Sequence, residues 1–410
     1  MAKETRKDPK GIVLKKGESY RKDGRYAFTW VNSRGERKVK YRKTLQELRK
    51  LEKKIAYDME DGIDTSAADA MTVNQMWDRY INQKYDLRES TKVNYIDTYD
   101  RYIRNTFGRV KINTVKYTDV KKYYYSLVTE RGLSPRSVEK VHTDLHPTFN
   151  LAIREGFIRT NPTDGVMKEL KKSKEWTKTK KFALTILQQK ALVNFLEKST
   201  EYNGWYPIIV VLLGTGMRIG ECIGLRWEDI DFENGFISVN HNLTYRPNLE
   251  GKSVYKIDDT KTEAGVRDIP IIDEVREAFF MEYEIQKCLG FCTQEIDGYS
   301  GFVFAASTGN VHLPSSINDA INRITEAYNK EETELAKQEK REALLLPHFS
   351  CHILRHTFCT RLCENESNLK VIQTIMGHSD IQTTMNIYAE CTKEKKQESI
   401  TSLSGKIIVK

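Results

Sequence analysis

The chain has 410 residues, 39% apolar and 30% charged, with 66 Lys+Arg against 57 Asp+Glu for a net charge of +9. This is a folded globular composition, and its longest aliphatic run, 208–213, falls far short of the roughly 20 residues a membrane helix needs. The charged opening MAKETRKDPK has no secretory core and seven thinly spread cysteines make no disulfide framework, so membrane and secreted classes are excluded and a reducing cytosol is expected. The charge is uneven: residues 1–60 carry +10, residues 61–190 carry +8 and residues 191–410 carry −9. A polycationic first half suits a polyanion such as DNA or RNA.

Alternation over the first strand puts Tyr26, Phe28 and Trp30 on one face and Arg25, Ala27 and Thr29 on the other. Asn32-Ser33-Arg34-Gly35 supplies a turn, and the return strand sets Val39 and Tyr41 against Lys38, Lys40 and Arg42. Thr44-Leu-Gln-Glu47 reads as a capping box opening a helix with Leu45, Leu48, Leu51 and Ile55 on one stripe. The prediction for 1–65 is a small α+β module with a basic outer face that can lie in a DNA major groove. Arg25, Lys38, Lys40 and Arg42 are its candidate DNA contacts.

Residues 61–71 are small and acidic and read as a linker. The period then becomes helical. Thr72-Val-Asn-Gln75 is a second capping box, Ser90 and Thr118 open further helices, and Ser134-Pro135 starts a fourth. Asn161-Pro162 closes this all-α four-helix unit, assigned to 71–168, with Tyr123, Tyr124 and Tyr125 given to packing. Residues 167–181 hold seven lysines without an apolar period and read as an extended connector able to run along DNA, with Lys172 and Lys174 as candidate contacts.

The remainder, 182–410, reads as a mixed, mainly α domain with a small antiparallel sheet. Helices are predicted at 185–198, 205–225, 273–287, 314–328 and from 350 onward, and strands at 235–246, 253–258 and 266–271. The highly charged 329–346 is either a helical excursion or a long loop.

Four local patterns in this domain carry chemistry. In Gly214-Thr-Gly-Met-Arg218-Ile-Gly-Glu221 the carboxylate sits three residues from the guanidinium and can brace it. Lys261 ends the first strand of a hairpin that continues to Arg267. Ser350 caps a helix carrying His352 and Arg355 one turn apart, a good phosphate site. Gly377-His378 precedes Tyr388 by ten residues across a glycine-broken helix pair. His352, His356, Cys359 and Cys363 lie on one straight helix, where four ligands cannot converge on one ion, so no metal site is expected and the last three are given to packing.

Together these residues resemble the tyrosine recombinase (phage integrase) family, whose order is Arg, Lys, His-x-x-Arg, Gly-His and a nucleophilic Tyr. Arg218, Lys261, His352, Arg355, His378 and Tyr388 fill all six positions in order, with a His-to-Tyr spacing of ten against the commoner nine. The likeness covers nearly the whole chain and is to integrases of Gram-positive conjugative transposons. It implies an N-terminal module for arm-type sites, a core-binding helical domain and a catalytic domain. It implies further that Tyr388 forms a 3′-phosphotyrosyl link, Arg218 and Arg355 stabilise the phosphate, and Lys261 protonates the leaving oxygen. His352 would take the tyrosine proton or orient the phosphate, His378 would bond a phosphate oxygen, and Glu221 would hold Arg218 or His378, with the general base left open among His352, His378 and water. No ATP, metal or other cofactor is implied.

The expected partners are double-stranded DNA and three further copies of the chain. The tail 392–410, with Ile400, Leu403, Ile407 and Ile408, would by the resemblance dock on a neighbouring protomer, the alternatives being that it folds back in cis or stays disordered, and an excisionase or a host DNA-bending protein is a candidate accessory. The rival readings are a type IB topoisomerase-like enzyme, a non-catalytic DNA-binding regulator on the same scaffold, and a zinc-stabilised packaging protein.

Overall fold

Strands β1 (Glu18–Tyr20), β2 (Tyr26–Val31) and β3 (Arg37–Arg42) pair antiparallel in that order, and helix α1 (Leu45–Glu60) packs on one side of them. Tyr26 and Phe28 bury with Leu14, Leu45, Leu48 and Ile55, so the predicted strand face and helix stripe meet. Thr44 accepts from the Glu47 backbone at 3.2 Å, one half of the expected capping box. The register corrects the expected basic outer face. Tyr26 stands opposite Arg42, Phe28 opposite Lys40 and Trp30 opposite Lys38. Opposed residues share a face, so the three cations lie on the side of α1. Their long stems reach water there because β3 is an edge strand. The helix-free face instead carries Ala27, Thr29, Val31, Val39 and Tyr41, with the Arg21 and Arg25 guanidiniums 5.0 and 5.3 Å above the Tyr41 ring.

The computed structural model describes residues 6–32, 35–174, 176, 182–259 and 265–389, in two compact units of 1–179 and 180–410. In the first unit, 61–71 is not a plain linker. Asp64 accepts from the Ala67 backbone at 3.1 Å and starts helix α2 (Thr65–Ala70), which buries Ala68. Next come α3 (Val73–Asn82), with a complete Thr72–Gln75 capping box, and α4 (Glu89–Thr98), which runs into a π turn at Tyr99–Arg104. Helices α5 (Tyr117–Thr129) and α6 (Pro135–Arg154) follow, the latter capped by Ser134. Their core includes Trp77 stacked on Tyr99 at 4.3 Å, together with Tyr124, Leu145 and Phe149.

The unit does not close at Asn161-Pro162. Helix α7 (Val166–Leu170) returns Val166, Met167 and Leu170 to the same core, which corrects the expectation of an extended connector from 167. Lys172 and Lys174 are exposed just beyond it. The sheet module and the helices keep separate apolar cores and are joined by polar links. Lys40 pairs with Asp69 at 2.7 Å, Arg159 with Asp58 and Asp61 at 2.7 Å each, and Asn32 donates to Asp64 at 3.0 Å.

In the second unit α8 (Ile186–Lys198) leads to α9 (Tyr206–Thr215), apolar on every side and therefore central. Around it pack α8, α10 (Ile219–Gly224), α11 (Asp273–Leu289) and α13 (Cys351–Asn365). The single helix expected over 205–225 is two, because Gly216 turns the chain at φ +63°. The one expected sheet is also two. Strands β4 (Ile230–Asp231), β5 (Phe236–Val239) and β8 (Arg267–Pro270) form one, and the hairpin of β6 (His241–Pro247) and β7 (Ser253–Asp259) forms the other. Helix α12 (Pro314–Glu339) absorbs the first part of the charged stretch by burying Tyr328, Glu332 and Ala336 along one side. Helices α14 (Leu369–Met376) and α15 (381–389) complete the described chain. Among the described residues no helix is long and apolar enough to cross a membrane.

Candidate active site

The site is assembled where three helix ends and one strand converge. At the end of α9, a Cβ on Gly216 would lie 2.4 Å from the Phe358 ring, so only glycine fits this left-handed turn. The turn places Arg218 at the start of α10. There the Glu221 carboxylate accepts from the Arg218 backbone at 2.9 Å and from its Nη1 at 2.6 Å, the brace expected from the spacing. Arg355 is buried on α13 and donates Nη1 to the Gly216 carbonyl at 2.7 Å and Nη2 to the Met376 carbonyl. His352, one turn earlier, is exposed. Ser350 occupies the cap position of α13 without a side-chain cap bond, contrary to expectation, and Asn318 instead accepts from the Cys351 backbone at 3.0 Å.

Helix α14 ends in Gly377 at φ +59°, and its last carbonyls are taken by three different arginines. Arg267 Nε bonds the Ile375 carbonyl at 2.7 Å, Arg355 the Met376 carbonyl, and Arg218 Nη2 the Gly377 carbonyl at 2.9 Å. Arg267 was given no role by the sequence reading. Its side chain is 1% exposed, and its Nη2 holds the second oxygen of Glu221 at 2.8 Å. The available signal was its place in β8, where it shares the inward register with Ile269. His378 follows at once, with Nδ1 3.0 Å from Oγ1 of the fully buried Thr384 on α15. Thr384 thus does what Glu221 was expected to do for His378. Tyr388, one turn beyond, is half-buried against the cluster of Cys359, Cys363, Ile372 and Met376, where the two cysteines pack as expected.

The electrostatics follow from this crowding. Burial pushes the Glu221 carboxyl up, but the Arg267 and Arg218 guanidiniums outweigh it and hold the pKa at about 2. Burial and then the charges of Arg355, Arg218, Arg267 and His352 push His378 down to about 4, so it is a neutral imidazole at pH 7. Burial and the neighbouring Arg218 lower Arg355 to about 9. Its hydrogen-bond partners are neutral carbonyls, and the Glu221 charge that partly offsets this burial is already shared by Arg218 and Arg267, so the cation is only partly compensated. Lys261 lies outside the described residues, as does the tail from 390. Among the described residues no three His, Cys, Asp or Glu side chains are grouped to hold a metal ion.

The described residues thus bring Arg218 and Arg267, braced by the buried Glu221, to the same helix end as Arg355 and His378, and Arg218, Arg355 and His378 are residue types in the order that carries the tyrosine recombinase resemblance. Residues 183–395 match the phage integrase family and residues 2–59 match the DNA-binding domain of Tn916 integrase. The chain belongs to the phage integrase family. It is a tyrosine recombinase of the Tn916/Tn1549 transposon type, a DNA strand transferase that needs neither ATP nor metal. It is 31% identical to the transposase from transposon Tn916 of Enterococcus faecalis over 97% of this chain and 100% of the relative. The transposase from transposon Tn1545 of Streptococcus agalactiae matches to the same extent. Among solved structures, a Tn1549 transposon integrase fragment in complex with transposon right end DNA superposes with a TM-score of 0.70 at 33% identity, over 82% of this chain and 100% of that one.

Proposed function

We propose that the chain integrates and excises a mobile element by cutting and rejoining DNA at the element's ends, with 1–65 on arm-type sites, 71–168 on the core site and 182–410 performing the chemistry. The observation that carries this is the buried Arg355, bonded to carbonyls alone beside Arg218, a charge preorganised for a phosphodiester. The Tyr388 hydroxyl attacks phosphorus, forming the Tyr–O–P bond as the P–O5′ bond breaks, which conserves the bond energy without ATP. Arg218 and Arg355 take up the charge growing on the non-bridging oxygens. Lys261 gives its proton to the departing 5′-oxygen, His352 or water accepts the tyrosine proton, and the neutral His378 donates a hydrogen bond to a phosphate oxygen.

For the N-terminal module, the helix-free sheet face with Arg21, Arg25 and Tyr41 is the better candidate for DNA than the row of Lys38, Lys40 and Arg42. Lys172 and Lys174 remain candidates for backbone contact. The reaction on two duplexes calls for a tetramer, with tail exchange, an excisionase and a host DNA-bending protein as its further parts. A lambda integrase tetramer bound to a Holliday junction shares this fold, at 15% identity and a TM-score of 0.51.

The test is a nicked attachment-site DNA incubated with wild-type protein or Tyr388→Phe in EDTA and run on denaturing gels. A covalent adduct formed by the wild type alone, with DNA binding retained in the variant, is the expected result. Equal adduct from both proteins would remove Tyr388 from the chemistry, and binding without any adduct would favour the regulator reading.

A further inference from the structure

Arg267 uses its guanidinium in three directions from a nearly sealed position: Nε to the Ile375 carbonyl at 2.7 Å, Nη1 to the Gly265 carbonyl at 3.1 Å, and Nη2 to Glu221 Oε2 at 2.8 Å. Glu221 is shared. Its Oε1 faces Arg218 Nη1 and its Oε2 faces Arg267 and the Arg218 backbone. Arg218 itself is 43% exposed at the side chain, so it is the member of this set that reaches outward. A mobile guanidinium beside a single carboxylate would collapse onto it. Here the carboxylate is pinned from behind by a second guanidinium, and that guanidinium is pinned to the same helix end that Arg218 and Arg355 use.

We propose that Arg267 is a positioning residue for strand cleavage: it fixes Glu221, and through Glu221 it fixes Arg218 in the orientation that meets the phosphate. This rests on the reading of Arg218 as a phosphate-binding residue. A lysine in place of Arg267 keeps the positive charge but, as a point donor on a flexible stem, cannot span a carboxylate and a carbonyl in a fixed fork. Substitution therefore disturbs the transition state more than the folded state or DNA binding.

The test is a double-mutant cycle on single-turnover adduct formation with nicked attachment-site DNA, using Arg267→Lys, Arg218→Lys and the double variant. Circular dichroism and DNA binding are checked first, and Glu221→Gln enters the same link from its other end should Arg267→Lys fold poorly. The expected result is a fall of roughly 10–100-fold for Arg267→Lys with binding nearly unchanged, and a double variant little slower than Arg218→Lys alone. In the Glu221→Gln background Arg267→Lys likewise adds little. A wild-type rate for Arg267→Lys, or rate losses that multiply in the double variant, would overturn the proposal. A second substrate, with sulfur replacing the bridging 5′-oxygen, needs no proton on its leaving group. Rescue of Arg267→Lys by this substrate would assign its effect to proton delivery by Lys261 instead, and that also overturns the proposal. An adduct formed by Tyr388→Phe would instead sink the underlying reading of the site.

Discussion

Glu221→Gln removes one charge and leaves the shape of the site almost intact, so it isolates the electrostatic link among α10, β8 and α14. Glu221 is held at a pKa of about 2, against an ordinary value of 4.5. A difference of about 2.5 units corresponds to roughly 3 kcal/mol of stabilisation at pH 7. An independent argument reaches the same figure: Arg267 is 1% exposed at its side chain, and stripping one partner from a buried ion pair costs about 3–5 kcal/mol. Because the folded-state pKa is depressed, the contribution is fully present above pH 4.5 and is lost as pH falls through 2. At pH 3 less than half of it remains. Urea unfolding at pH 7, 5, 4 and 3, followed by pulsed hydrogen exchange at α9 peptides, reads this unit separately from the N-terminal one. A variant within 1 kcal/mol of wild type at pH 7, or a difference that stays constant down to pH 3, would refute the reasoning.

Two further outcomes follow from buried titrating groups. His378, depressed to about 4 by burial and the surrounding arginines, lends stability above pH 6.5 that is lost as pH falls from there to about 4; its imidazole titration by NMR should move upward when a core-site DNA phosphate is bound, and an unchanged midpoint would place the phosphate elsewhere. Asp144, fully buried on α6 with neither carboxylate oxygen hydrogen-bonded, is raised to about 8 by burial. The helical part of the first unit therefore loses stability as pH climbs from about 4 to about 8, and Asp144→Asn should flatten that slope in urea titrations; a slope equal to that of wild type would show that the acid is already ionised.

Local chemistry was legible in the sequence in most places where partner groups are near one another along the chain, with the Ser350 cap as the exception. The Arg218–Glu221 brace, the Thr72–Gln75 box and the helix start at Ser134-Pro135 are short-range relations, and each is found as read. What escaped depends on distant pairing. Lys38, Lys40 and Arg42 alternate correctly, but which face meets α1 is set by the β2–β3 register, and an edge strand lets lysine stems leave from the packed side. Helix α7 hid because the Val166, Met167 and Leu170 that anchor it lie at the leading edge of a stretch, 167–181, that holds seven lysines. Arg267 reads as one more surface charge after a turn until Glu221, 46 residues away, is seen against it.

The seam between the sheet module and the helices bears on how far the module can travel. Its named links, Lys40 to Asp69, Arg159 to Asp58 and Asp61, and Asn32 to Asp64, are polar, and the two apolar cores do not merge across it. The solvent-reached pairs among them, Lys40 with Asp69 and Arg159 with Asp61, are of a kind that holds about 0–1 kcal/mol each and weakens with salt, whereas Asp58 and Asn32 are buried. A duplex phosphate brought within reach of Lys40 or Arg159 would compete with Asp69 and Asp61 for the same cations. Added salt and such a phosphate would then act in the same direction, each loosening what the exposed carboxylates hold at this seam.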